Sequence, residues 1–262
     1  MRGVRRAAVV LALAAAASAA AAPALDPAKV VDLTYAFGPD TVYWPTETTG
    51  FELHARAHGK TPGGFFYAAN AFTAPEHGGT HMDAPRHFAE HGLAADAVPL
   101  AAGIGPAVVV DVSRQAAADP DFRLAPGDLA AWEAAHGRIP AGAIVLMRSG
   151  WGRFWPDRAR YLGTAKPGDV ANLHFPAFSK EAAEWLVRER KPAALGVDTA
   201  SMDHGPSKDF PVHRVIAAAN LPAFENVARL ERLPPAGATI VALPMKIAGG
   251  TGAPLRIVAF LP

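Results

Sequence analysis

Short apolar or β-branched runs recur along the chain at Val30–Tyr35, Phe65–Thr73, Ala107–Val112, Ala143–Arg148, Ala194–Val197, Thr239–Leu243 and Leu255–Leu261. Each is bounded by turn formers and reads as a strand, most of them buried in character. A helical pattern is predicted over Pro126–His136, with Asp128 in its first turn, and a clearer one over Ser179–Arg190. The second ends in Arg188-Glu189-Arg190-Lys191, whose cations suit a helix C-terminus, and Pro192 stops it. Strands interleaved with helices predict an α/β domain. The 24 glycines and 24 prolines are spread through long connections such as Gly150–Pro176 and Ser201–Pro211, without an internal repeat. Loops of that length in a compact domain tend to be functional, and here they are expected to wall a site.

The first 22 residues do not belong to this pattern. Met1 to Arg6 is a basic segment, Ala7 to Ala17 is apolar, and the alanine-rich stretch to Ala22 offers several cleavage points. That is the pattern of an export signal, leaving residues 23–262 as one domain with a periplasmic or secreted address. No other segment reaches about 18 uninterrupted apolar residues, so no membrane association is expected after cleavage. Loss of Arg2, Arg5 and Arg6 would leave 22 basic residues against 24 acidic ones, which removes any charge argument for nucleic-acid binding. The chain has no cysteine, so packing and bound metal, not disulfides, must stabilise an exported protein.

The chemistry is concentrated in His77-Gly78-Gly79-Thr80-His81-Met82-Asp83-Ala84-Pro85-Arg86-His87. Gly78, Gly79 and Pro85 argue against a helix there. On an extended strand His77, His81 and Asp83 would project to one side, with Gly79 leaving the centre open. Two imidazoles and a carboxylate suit Zn or Mn, and three protein ligands leave room for water, as catalytic sites do. His213 and Glu225 are candidates to complete the site from a distance; in the alternative reading His213 merely opens a short helix containing Arg214–Ala219 and Glu225 is an exposed carboxylate. His204 is an alternative ligand to His213, and His174 and His204 are candidates to support the ligands from behind. Trp44, Phe65, Phe66, Tyr67 and Trp151 lie near these motifs as candidate walls for a planar substrate, with Trp44 and Phe65 the leading substrate contacts.

The string His77-x-Gly79-Thr80-His81-x-Asp83-x-Pro85-x-His87 resembles the signature of the metal-dependent cyclase-family hydrolases, which include bacterial-type kynurenine formamidase and isatin hydrolase. The resemblance extends through Asp32-Leu33-Thr34, Trp44-Pro45, Arg148-Ser149-Gly150-Trp151, His174-Phe175-Pro176, Gly196-Val197-Asp198-Thr199, His213 and Glu225. It implies a single α/β domain with a mixed sheet, the swivelling β/β/α barrel, in a homodimer or homotetramer. It also implies that His77, His81 and Asp83 hold one divalent metal, that Asp83, His213 and Glu225 hold a second where two are bound, and that His87 is the general acid/base. The expected activity is hydrolysis of a small-molecule C–N amide bond, in an aryl formamide, an isatin-like lactam or a related cyclic amide, by metal-activated water. The alternatives are a metal-dependent cyclase or lyase acting on a carbonyl, and a non-catalytic periplasmic metal- or ligand-binding protein.

Overall fold

The computed structural model describes residues 26–262, so the expected export signal lies outside the described residues. The strands are β1 (Val30–Asp32), β2 (Glu52–Lys60), β3 (Phe66–Thr73), β4 (His81–Asp83), β5 (Ile104–Asp111), β6 (Arg123–Leu124), β7 (Ile144–Arg148), β8 (Ala177–Phe178), β9 (Ala194–Val197), β10 (Ala223–Glu225), β11 (Ala236–Pro244) and β12 (Gly252–Phe260). The helices are α1 (Leu100–Gly103), α2 (Ser113–Ala118), α3 (Pro126–His136), α4 (Arg158–Leu162), α5 (Lys180–Trp185) and α6 (Pro211–Ala218).

The main sheet runs β12-β11-β5-β7-β9-β10-β4, and β4 pairs back onto β12, which closes a seven-stranded mixed barrel. Strands β5, β7, β9 and β10 run parallel, while β4, β11 and β12 make antiparallel pairs. Strand β12 is long enough to pair with β4 at its start and with β1 at its end. Inside the barrel, Met82, Val109, Ile144, Leu146, Phe224, Ile240 and Ile257 form one core. The opposite faces of β5, β7 and β9 carry Val108, Val110, Val145, Met147, Leu195 and Val197, which pack on Leu129 and Trp132 of α3, Ala182 and Ala183 of α5, and Ile216 of α6. Burial on both faces explains why these strands are apolar at successive positions. Among the described residues no helix is long and apolar enough to cross a membrane.

The predicted strands occur, with shifted ends: Val30–Tyr35 shortens to β1, while Thr239–Leu243 and Leu255–Leu261 lengthen to β11 and β12. Helix α3 matches its predicted span, and the Ser179–Arg190 helix is α5, capped by the Ser179 hydroxyl on Ala182 N and continued by a wider turn through Arg190. The pattern did not reveal β2, whose side chains are mostly solvent-facing and which pairs only with β3. It also did not reveal β10, three residues whose burial depends on neighbours distant in sequence.

Candidate metal centre

Strand β4 forms the seam of the barrel, hydrogen-bonded to β10 on one side and to β12 on the other. Met82 points into the core, so His81 and Asp83 point out of the barrel wall. The register sets Glu225 across from His81. His213 arrives on the first turn of α6, whose start is fixed by Asp203: its carboxylate accepts from Val212 N at 2.9 Å and His213 N at 3.1 Å.

His77 reaches the cluster by a different route from the single strand that the spacing predicts. The strand begins only at His81 because Gly78 and Gly79 take φ of +153° and +57°. Gly79 does not keep the centre open. A Cβ there would meet the Phe37 ring at 2.8 Å, so close packing and a left-handed backbone require the glycine. His77 precedes this break, and the bend turns its Nδ1 to 2.7 Å from Asp83 Oδ1.

Five side chains thus turn their donor atoms toward one another. His81 Nε2 lies 3.1 Å from Asp83 Oδ1 and 3.5 Å from Glu225 Oε2, and His213 Nε2 lies 3.1 Å from both Asp83 Oδ2 and Glu225 Oε1. Two of the rings are held in a defined tautomer. His81 donates Nδ1–H to the Gly79 carbonyl at 3.0 Å, and His213 donates Nδ1–H to Asp203 at 2.7 Å, which turns both Nε2 atoms inward and, in the neutral rings, leaves them bare. His81 Nε2 is buried without a hydrogen-bond partner. A bare imidazole nitrogen against carboxylate oxygens is repulsive unless a cation or proton lies between them, so this donor set fits a divalent metal. Two groups can each hold an ion, His77 with Asp83 and His87, and His81 with Asp83 and Glu225, sharing Asp83. The set implied by resemblance also converges, since His77 Nδ1 and His81 Nε2 both approach Asp83 Oδ1, at 2.7 and 3.1 Å, with their rings edge to face and 5.4 Å apart.

The electrostatics have the same sense. Burial works against charge on His213, but hydrogen bonds to Asp203, Asp83 and Glu225 outweigh it and raise its pKa well above the ordinary imidazole value. His81 is also raised, by Asp83 and Glu225 against the cost of burial. For Asp83, burial is overcome by His77, His213 and His81, and its carboxyl falls well below the usual range. His87 is the exception. Desolvation, with the neighbouring imidazoles, pushes it down to about 4, although its outer edge reaches solvent. Its ring stacks on His77 at 3.9 Å.

These groups lie at the base of a cavity of about 230 Å³ walled by Val42, Tyr43, Trp44, Phe88, Ala200 and Phe210. Trp44 is therefore at the cavity, but Phe65 is not. It sits in the turn between β2 and β3, 63% exposed, with Phe66 and Tyr67 beside it, because that hairpin forms a two-stranded sheet of its own, apart from the barrel sheet among the described residues. Trp151 is buried in a separate cluster and donates to the Tyr161 carbonyl. His174 pairs with Asp121 at the surface, and His204 does not line the cavity; Asp203, beside it, is the residue that holds His213. Phe88 and Phe210 were missed by the sequence reading, although Phe88 directly follows His87 and its ring lies 4.6 Å from that of His213.

A family model described as "Putative cyclase" matches residues 31–204. The isatin hydrolase of Roseibium aggregatum is 34% identical over 249 residues, covering 89% of this chain and 92% of that protein. The kynurenine formamidase of Salinibacter ruber is 28% identical over 230 residues, covering 87% and 96%. Among solved structures, isatin hydrolase A from Ralstonia solanacearum superposes with a TM-score of 0.81 at 36% identity, covering 89% of this chain and 92% of that one. An isatin hydrolase bound to the product analogue thioisatinate gives 0.81 at 33%. With two thirds of its length inside the family model and this site at the barrel seam, the chain belongs to the cyclase family of metal-dependent hydrolases.

Proposed function

We propose that this protein hydrolyses the C–N bond of an aryl formamide or an isatin-like cyclic amide. The observation that carries the proposal is the buried, unpartnered His81 Nε2 among Asp83 and Glu225 at the base of an aromatic-walled cavity. His77, His81, Asp83, His213 and Glu225 would hold the ion, and imidazoles mixed with carboxylates suit Zn or Mn. A divalent cation supplies Lewis acidity when bound, lowering the pKa of water toward about 7 and polarising a carbonyl. Trp44, Phe88 and Phe210 offer flat apolar surfaces to an aromatic ring. His87 lines the same cavity beside the donor atoms, where its ring can take a proton from the attacking water and pass it to the leaving nitrogen.

A panel of N-formyl aromatic amines, isatin and other lactams tests this. Turnover is expected to cease when the metal is chelated and to return with Mn²⁺ or Zn²⁺. His87→Ala should lower kcat about 10²–10⁴-fold while metal content is unchanged. Loss of metal in that variant would make His87 a ligand instead. In labelled water the new carboxylate must carry the label; its absence would assign a lyase or cyclase reaction and overturn hydrolysis.

We also propose that the protein is exported, on the basis of the amino-terminal pattern, and mass spectrometry of the mature N-terminus tests this. It is further proposed to act as a homo-oligomer, joined through the β2–β3 hairpin, whose Leu53, Phe66 and Phe72 are at least half exposed.

A further inference from the structure

We propose that Thr251 and Glu76 are positioning residues that hold His77 in the tautomer presenting Nδ1 to the metal. This rests on the reading of the cluster as a metal centre and goes beyond it by assigning a coordinating atom and the groups that select it. His77 Nε2 lies 3.0 Å from Thr251 Oγ1, on the side of the ring away from Asp83. The Thr251 hydroxyl has one hydrogen, and it is committed elsewhere: Glu76 Oε2 is 2.7 Å away and, as a carboxylate oxygen, can only accept. The same oxygen accepts from Thr251 N at 2.9 Å and Gly252 N at 3.2 Å, which fixes the carboxylate against the backbone. Toward His77 the hydroxyl therefore offers a lone pair. His77 Nε2 must carry the hydrogen, so in the neutral ring Nδ1 is left bare, 2.7 Å from Asp83 Oδ1.

Gly252 is part of this device. A Cβ there would lie 2.5 Å from His77 Cε1 and 2.9 Å from Nδ1, so only glycine lets the ring rest against β12 with Nε2 at Thr251. His81 and His213 reach the same end with reversed chemistry, holding Nδ1–H outward and Nε2 inward. The three imidazoles are thus locked by three different acceptors, a carbonyl, a carboxylate and a hydroxyl oriented by a carboxylate. Outer hydrogen bonds of this kind fix ligand orientation and basicity, and their loss typically weakens metal binding by about 10–100-fold.

The test compares Thr251→Val, which keeps shape but removes the acceptor, with Thr251→Ser, which keeps it. Metal-free proteins are titrated with Zn²⁺ and Mn²⁺ by calorimetry, and imidazole nitrogens of the zinc-loaded proteins are observed by ¹⁵N NMR. Wild type and Thr251→Ser should show His77 with a protonated Nε2 and a zinc-bound Nδ1. Thr251→Val should bind one ion about 10–100-fold more weakly. Glu76→Gln, which retains an accepting oxygen, should resemble wild type, whereas Glu76→Ala should resemble Thr251→Val. Undiminished affinity in Thr251→Val, or His77 coordinating through Nε2 in wild type, would overturn the assignment. Failure of the wild-type protein to bind either cation would instead remove the metal centre itself, and this assignment with it.

Discussion

His87 is stacked face to face on His77, and its pKa of about 4 lies below the ordinary value of 6.5. Between those values the unfolded chain binds a proton that the folded chain excludes, so His87 withdraws stability as the pH falls from about 6.5 to about 4. The metal-free protein should therefore melt at progressively lower temperature over that window. In His87→Gln, which cannot titrate, the decline should be shallower; equal slopes in calorimetric scans of the two proteins would contradict the depressed pKa. At this scale the candidate site was legible because His77, His81, Asp83 and His87 crowd into eleven residues of a chain with 10 histidines. Thr251 was not, since it stands 174 residues from the ring it touches and a lone threonine carries no spacing signal. Asp203 stood in a recognisable polar segment, but only the fold of α6 shows which ring it holds.

Strand β4 is three residues long, yet it pairs with two neighbours and closes the barrel. Its alternation divides it: Met82 packs in the core, and His81 and Asp83 face the candidate metal centre. Met82→Ala should accordingly cost about 2–5 kcal/mol in urea unfolding while the cation stoichiometry of the folded protein is kept. A variant that loses its cations before it unfolds would show that seam and site are not separable in this way. Strands β5, β7 and β9 were legible as continuous apolar runs because both their faces are covered. Strand β4 was read instead as part of one longer extended segment, and the left-handed Gly79 that interrupts it depends on the Phe37 ring brought in from another connection. The β2–β3 hairpin was half legible, since β3 is rich in aromatic residues whereas β2 mixes charges, histidines and alanines without a clear period.

At the scale of the molecule, Leu53, Phe66 and Phe72 of that hairpin stay largely uncovered among the described residues. Leu53 is 61% exposed, Phe66 61% and Phe72 50%, and a two-stranded ribbon is marginal when left to itself. Light scattering coupled to size exclusion should give a mass of two or four chains. Combined Leu53→Ser, Phe66→Ser and Phe72→Ser substitutions should shift it to that of one chain; an unchanged mass would place the contact between copies elsewhere. Phe65 was chosen as a substrate contact for its nearness to the metal motif along the chain, but this ribbon carries it away from the cavity.

The donor atoms come mainly from strands and from the start of α6, whereas Val42, Tyr43, Trp44, Phe88, Ala200 and Phe210 stand on the connections between elements. The scaffold therefore keeps the candidate metal ligands and the cavity walls on separate parts of the backbone. Libraries confined to the partly exposed Trp44, Ala200 and Phe210 can search for new substrates while the buried Val42 and Tyr43 are left in place, which makes the protein a suitable starting point for directed evolution.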